Sequence, residues 1–181
     1  MYGNKTVVTN EGGTVDSVDF VLPAFSFLNQ DSQAVTLQTM DGKIFVTEFF
    51  FTSCPSICPK MQAQMLRVYE KYKTNPGVGI LAFTIDPARD TVSKLKQYEK
   101  KLGVESSKWN MLTGNKDSIY TLAESFMVSA AEDPDAPGGH VHSGTFILVD
   151  KHKRLRGYYD GTKEESVAKL LDEMDMLLKE E

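Results

Sequence analysis

Lys43-Ile44-Phe45-Val46-Thr47-Glu48-Phe49-Phe50-Phe51, followed at once by Thr52-Ser53-Cys54-Pro55-Ser56-Ile57-Cys58, passes from a strand pattern into a helix pattern across two cysteines. Its first part is dense in β-branched and aromatic side chains, which suit a pleated strand. A run so apolar, with no polar alternation, belongs in the middle of a sheet covered on both faces. After Cys58 the period changes. Cys58, Met61, Met65, Tyr69 and Tyr72 recur at spacings of three and four, which lays them on one face of a helix. Asn75-Pro76-Gly77 ends that helix, because proline cannot continue its hydrogen bonds.

Working outward, Val78 to Ile85 is a second apolar strand. Thr91 to Leu102 is a helix with Leu95, Tyr98 and Leu102 inward, opened by the Asp90-Thr91 cap region and closed by Gly103. Trp109 to Leu112 makes a short strand, and Lys116 to Phe126 a helix with Ile119, Leu122, Ala123 and Phe126 on one stripe. Ala131 to Gly139, rich in acidic residues, Pro and Gly, reads as a loop. Thr145 to Val149 and Leu155 to Tyr159 form an antiparallel pair, and Glu164 to Lys179 closes the chain as an amphipathic helix. Upstream, Val21 to Leu28 and Val35 to Leu37 flank a polar turn as a β-hairpin. A parallel βαβ unit followed by an antiparallel ββα unit is the thioredoxin-like α/β arrangement: a central mixed sheet flanked by helices, here with an N-terminal β-hairpin extension. Residues 1–19 read as a loose segment and 20–181 as a single domain.

A net charge of −5 argues against a nucleic-acid partner, which requires a clustered basic surface. The short run Lys151-His152-Lys153-Arg154 lies between two strands and reads as a solvated hairpin turn. No run of 18 apolar residues is present to span a membrane. The opening Met1-Tyr2-Gly3-Asn4-Lys5 has no signal-peptide character; it resembles the start of a trimmed soluble domain, with a membrane anchor removed upstream.

The chain has 2 cysteines, Cys54 and Cys58. A disulfide between them would close so short a loop that it removes little unfolded-state entropy, so the pair points to chemistry rather than stability. Cys54 ends the central strand and Cys58 begins the helix, where Pro55 suits a first-turn position. The positive end of the helix dipole favours thiolate there. Two such sulfurs can close to a disulfide or share a soft metal such as Cu(I). Both options are open on spacing alone.

Phe49-Phe50-Phe51-Thr52-Ser53-Cys54-Pro55-Ser56-Ile57-Cys58-Pro59 resembles the copper loop of the Sco/SenC proteins. Phe83 to Thr91, containing Asp86-Pro87-Ala88-Arg89, is similar to that family's second block, and His142-Ser143 before a strand to its third. Leu22-Pro23-Ala24-Phe25 to Leu28 looks like its opening segment. The resemblance implies a membrane-anchored, extracytoplasmic copper chaperone, facing the periplasm, that helps assemble the binuclear copper centre of cytochrome c oxidase. It implies copper, Cu(I) or Cu(II), held by Cys54, Cys58 and His142. Subunit II of the oxidase, or another copper or thiol protein, would be the partner of a monomer. Asp86, Pro87 and Arg89 would then be structural or support the ligands. The family usually places Asp immediately before the histidine. Val141 stands there in this chain, so an acidic group orienting the imidazole is absent or comes from elsewhere.

Of the other histidines, His140 lies two residues before His142, so both face one side of an extended segment and His140 is a candidate extra ligand. His152 sits in the basic turn. Met61, Met65 and Met174 follow inward stripes and fill the core. Glu132, Asp133 and Asp135 shape and solubilise their loop. The competing function is a thiol–disulfide oxidoreductase in which Cys54 attacks and Cys58 resolves, without metal. A peroxide-reducing enzyme ranks below both, because Thr52-Ser53-Cys54 lacks the proline such enzymes carry just ahead of the reactive cysteine.

Overall fold

The computed structural model describes residues 22–55 and 57–180, together with the backbone of 5–9 and 15–19. Of the N-terminal segment, β1 (Lys5–Thr9) and β2 (Val15–Asp19) pair antiparallel. The rest of it lies outside the described residues, as do Phe20, Val21, Ser56 and Glu181.

The apolar run that opens the cysteine segment forms β5 (Ile44–Phe50), buried at every residue, and it is the middle strand of a five-stranded sheet ordered β11-β10-β5-β6-β7. β6 (Val78–Thr84) pairs parallel with β5, and β7 (Trp109–Leu112) parallel with β6. β10 (Thr145–Val149) runs antiparallel to β5 on its other side, and β11 (Leu155–Asp160) completes that edge. Among the described residues four α-helices flank this sheet: α1 (Cys58–Tyr72), α2 (Val92–Leu102) and α3 (Lys116–Ser125) lie between strands, and α4 (Glu164–Leu177) follows β11. The Thr91 hydroxyl caps α2 and Gly103, in the left-handed region, ends it.

The expected upstream hairpin is present as β3 (Ser26–Leu28) and β4 (Ala34–Thr36). Leu28 and Thr113 exchange backbone hydrogen bonds of 3.0 and 2.9 Å, which fastens it beside the end of β7. Phe25 and Phe27 then pack edge-on against Phe83, which stacks on Phe49 at 5.3 Å. The hairpin thus covers an aromatic core that runs through β5 and β6. In the basic turn, the Asp150 carboxylate accepts from the backbone of His152 and Arg154 and from the Arg154 and Arg156 side chains.

One expectation is corrected. Ala131 to Gly139 is not simply a loop: β8 (Ala130–Glu132) and β9 (His140–His142) form an antiparallel pair of their own, with Ala130 opposite His142 and Glu132 opposite His140. Three-residue strands are too short to display an alternation, and the Pro and Gly of their connection mask them in sequence.

Candidate metal centre

Cys54 lies in the turn after β5, its N–H donating to the Phe51 carbonyl at 3.2 Å. Cys58 is the first residue of α1, and the helix opens with the Lys60 and Met61 N–H groups donating to the Ile57 carbonyl. Pro55 therefore stands outside the helix, contrary to expectation. Pro59 takes the first-turn place, where a missing N–H goes unnoticed.

His142 arrives from β9. Among the described residues, Cys54, Cys58 and His142 form the group able to hold a metal ion, with their donor atoms within 4.8 Å of one another. All are buried, and Cys54 is more exposed than Cys58 (9% against 2%). Cys58 Sγ lies 3.2 Å from His142 Nε2. His142 Nδ1 lies 3.2 Å from the Ser143 carbonyl, which can only accept, so Nδ1 carries the ring hydrogen. Nε2 keeps its lone pair and receives the Cys58 thiol hydrogen. A metal ion would replace that hydrogen, and two sulfurs with one imidazole nitrogen suit a soft ion. The residues fit copper chemistry.

The protonation of the site differs from expectation at Cys58. Burial, then the neighbouring Cys54 thiol and the charges of Cys54 and Glu48, push the Cys58 thiol well above its ordinary value. The helix dipole does not win, because desolvation of a thiolate outweighs a terminal partial charge. Burial also lowers the pKa of His142. The buried pair is thus a thiol and a neutral imidazole.

Ser143 supplies the orientation that an acidic residue before the histidine would otherwise give. Val141 points outward and is 44% exposed, on the strand face opposite His142. His140 does share the inward face, and both imidazoles pack on Phe51 at 5.2 and 5.7 Å. It lies outside the metal-ligating group, however. Its Nε2 faces Asp86 Oδ2 at 3.4 Å and its Nδ1 faces the Tyr120 hydroxyl at 3.4 Å.

Two carboxylates beneath the site escaped the reading of the residues. Asp90, expected at a helix cap, turns inward and is fully buried. It accepts from the Thr52 N–H at 2.9 Å, the Thr52 hydroxyl at 2.5 Å and the Thr84 hydroxyl at 2.6 Å. It thereby ties the start of the cysteine loop to the end of β6. Glu48 is fully buried on β5 and accepts from Gln62 Nε2 at 3.2 Å, while its Oε2 and Gln62 Oε1 have no partner among the described residues. Burial pushes its carboxyl up to about 8. The signal in the sequence was a lone acid within an otherwise apolar central strand.

Comparison with known proteins agrees with this geometry. The SCO1/SenC family profile matches residues 14–179. Similar solved structures include a SCO1/SenC family lipoprotein from Bacillus anthracis, 27% identical, with a TM-score of 0.81 over 88% of this chain and 96% of that one. BsSco, described with a disulfide switch and as a member of the Sco family of cytochrome c oxidase assembly proteins, is 26% identical, with a TM-score of 0.77 over 88% and 94%. Arabidopsis thaliana ScoI with copper bound is 27% identical, with a TM-score of 0.73 over 89% and 99%. The chain belongs to the SCO1/SenC family, and its fold is thioredoxin-like.

Proposed function

Starting from that membership, we propose that this protein binds copper through Cys54, Cys58 and His142 and carries it as cargo to a partner. The observation that carries the reading is the convergence within 4.8 Å of two sulfurs and an imidazole nitrogen that bears no hydrogen of its own. Copper bound to Arabidopsis thaliana ScoI supports the choice of metal. The two thiols provide soft donors for Cu(I), and the imidazole adds the nitrogen that Cu(II) prefers. Anaerobic titration of the reduced protein with Cu(I), against a competing chelator, tests this. Uptake of one ion per chain is expected, and no tight uptake would refute it.

The finer role proposed is assembly of the binuclear copper centre of cytochrome c oxidase, with subunit II or another copper or thiol protein as partner. The description of BsSco supports it. Work outside the cytoplasm, tethered to the membrane and facing the periplasm, is supported by the Bacillus anthracis relative being a lipoprotein. Among the described residues, no helix is long and apolar enough to cross a membrane.

A second reading has its own support in the disulfide switch of BsSco and the proximity of the two thiols. In it, Cys54 and Cys58 lose two hydrogens to form a disulfide while a partner disulfide gains them and becomes a dithiol. His142 separates the two readings. Disulfide exchange that proceeds equally in wild type and His142→Ala, with no copper uptake by either, would favour the redox reading.

A further inference from the structure

We propose that His140 is a positioning residue: gripped between Asp86 and Tyr120, it pins the β8–β9 hairpin to the loop after β6 and so holds His142 at the cysteines. The inference rests on the metal-binding reading above and assigns a role to the histidine that spacing alone offers as a spare ligand.

The need for a pin follows from the topology. β8 and β9 have three residues each and form a two-stranded sheet separate from the five-stranded one. A hairpin that small is marginal by itself. The hydrogen bond from the Ser143 N–H to the Ser129 carbonyl extends the hairpin but does not attach it to the central sheet. The backbone fixes one end, where β9 passes through Ser143 and Gly144 into β10 and the Gly144 carbonyl accepts from the Gly161 N–H at 2.7 Å; side chains fix the rest of the hairpin. The Lys116–Glu132 ion pair and the Arg89 contact to the Gly138 carbonyl involve exposed groups and hold weakly. The Asp86–His140 contact is different, since both side chains are over nine-tenths buried.

Asp86 is itself fixed. Its N–H donates to the Thr84 hydroxyl, and its carbonyl accepts from the N–H groups of Arg89 and Asp90. Tyr120, on the other side of the ring, donates to the Ile85 carbonyl at 3.1 Å. The same segment, through Asp90, holds Thr52 at the start of the cysteine loop. Both halves of the metal site are thus referenced to one framework. His140 and His142 share a strand face, so a twist of β9 that displaced one would displace the other. Gly138 completes the seat. With φ of +86° it lies so close to Phe51 that a Cβ there would come within 2.7 Å of the ring.

The test compares wild type, His140→Ala, His140→Gln, His142→Ala and the double alanine variant, with two readouts. In copper-free protein, hydrogen exchange at Val141, His142 and Ser143 should accelerate at least about tenfold in His140→Ala, without comparable change in the five-stranded sheet. Cu(II) affinity by competition should fall roughly 10–100-fold. His140→Gln, whose amide can still donate to Asp86, should recover much of both. In the His142→Ala background, loss of His140 should weaken copper binding no further. Unchanged exchange in His140→Ala overturns the proposal, and so does a full additional loss of affinity in the His142→Ala background, which would make His140 a ligand. If His140→Ala unfolds globally, Asp86→Ala, which leaves His140 no acceptor at that place, is read by the same exchange measurement, and unchanged exchange there is equally decisive. Failure of wild type to take up copper would count against the metal reading alone, leaving exchange to judge the pin.

Discussion

At Cys58 two local effects oppose each other. The start of α1 favours a thiolate, while burial in the core favours the thiol, and burial prevails. At His142 burial acts in the same sense and favours the neutral ring. Metal uptake at neutral pH should therefore release a proton from Cys58 and none from His142. Affinity for Cu(I) should rise with pH by about tenfold per unit for each thiol proton released, which chelator competition at stepped pH will measure. In acid, protonation of His142 should weaken Cu(II) further. His142→Ala should reduce Cu(II) affinity by more than the roughly 10–100-fold typical of changes outside the ligands, with a smaller effect on Cu(I). The two cysteines were legible as a reactive pair from spacing, and His142 from its place before β10 together with the family blocks. Glu48 and Asp90 were not legible as a pair under the site, since each sits in an element whose apolar or capping pattern accounts for it locally. The carbonyl that orients His142 belongs to a backbone and leaves no trace in sequence.

The long elements were readable because a buried strand shows as an unbroken apolar run and an amphipathic helix repeats its apolar positions over many residues. β5, β6 and α1 to α4 are all of that kind. The β8–β9 hairpin was missed because its strands are only three residues long and its partner is itself rather than the sheet. What holds the elements in register around the site is polar. Asp90 joins the cysteine loop, β6 and the entry to α2. Asp90→Ala would leave the buried Thr84 hydroxyl and the half-buried Thr52 N–H and hydroxyl without their acceptor. Such a loss should destabilise the fold by roughly 2–4 kcal/mol, read from a shift in urea midpoint at unchanged slope. Gly138→Ala should instead disturb the site locally, because the left-handed backbone and the Phe51 ring both exclude a side chain there.

For the whole molecule, Glu48 couples folding to pH. Its carboxyl is pushed from the ordinary glutamate range to about 8, so the folded chain keeps a proton that the unfolded chain has released. This group's contribution to stability is full below about pH 4.5 and is lost progressively as pH rises towards 8. Glu48→Gln should flatten the stability profile across that window, by on the order of 5 kcal/mol relative to wild type, as followed by urea denaturation at several pH values. An unchanged profile would mean that Glu48 is ionised in the fold. The larger claim is that the buried thiols and imidazole act together on one metal ion. X-ray absorption at the copper edge of the loaded protein tests it most directly. Two sulfur neighbours and one imidazole nitrogen are expected, with the nitrogen signal lost in His142→Ala; a copper shell of oxygen and nitrogen without sulfur, or one unaffected by His142→Ala, would contradict it.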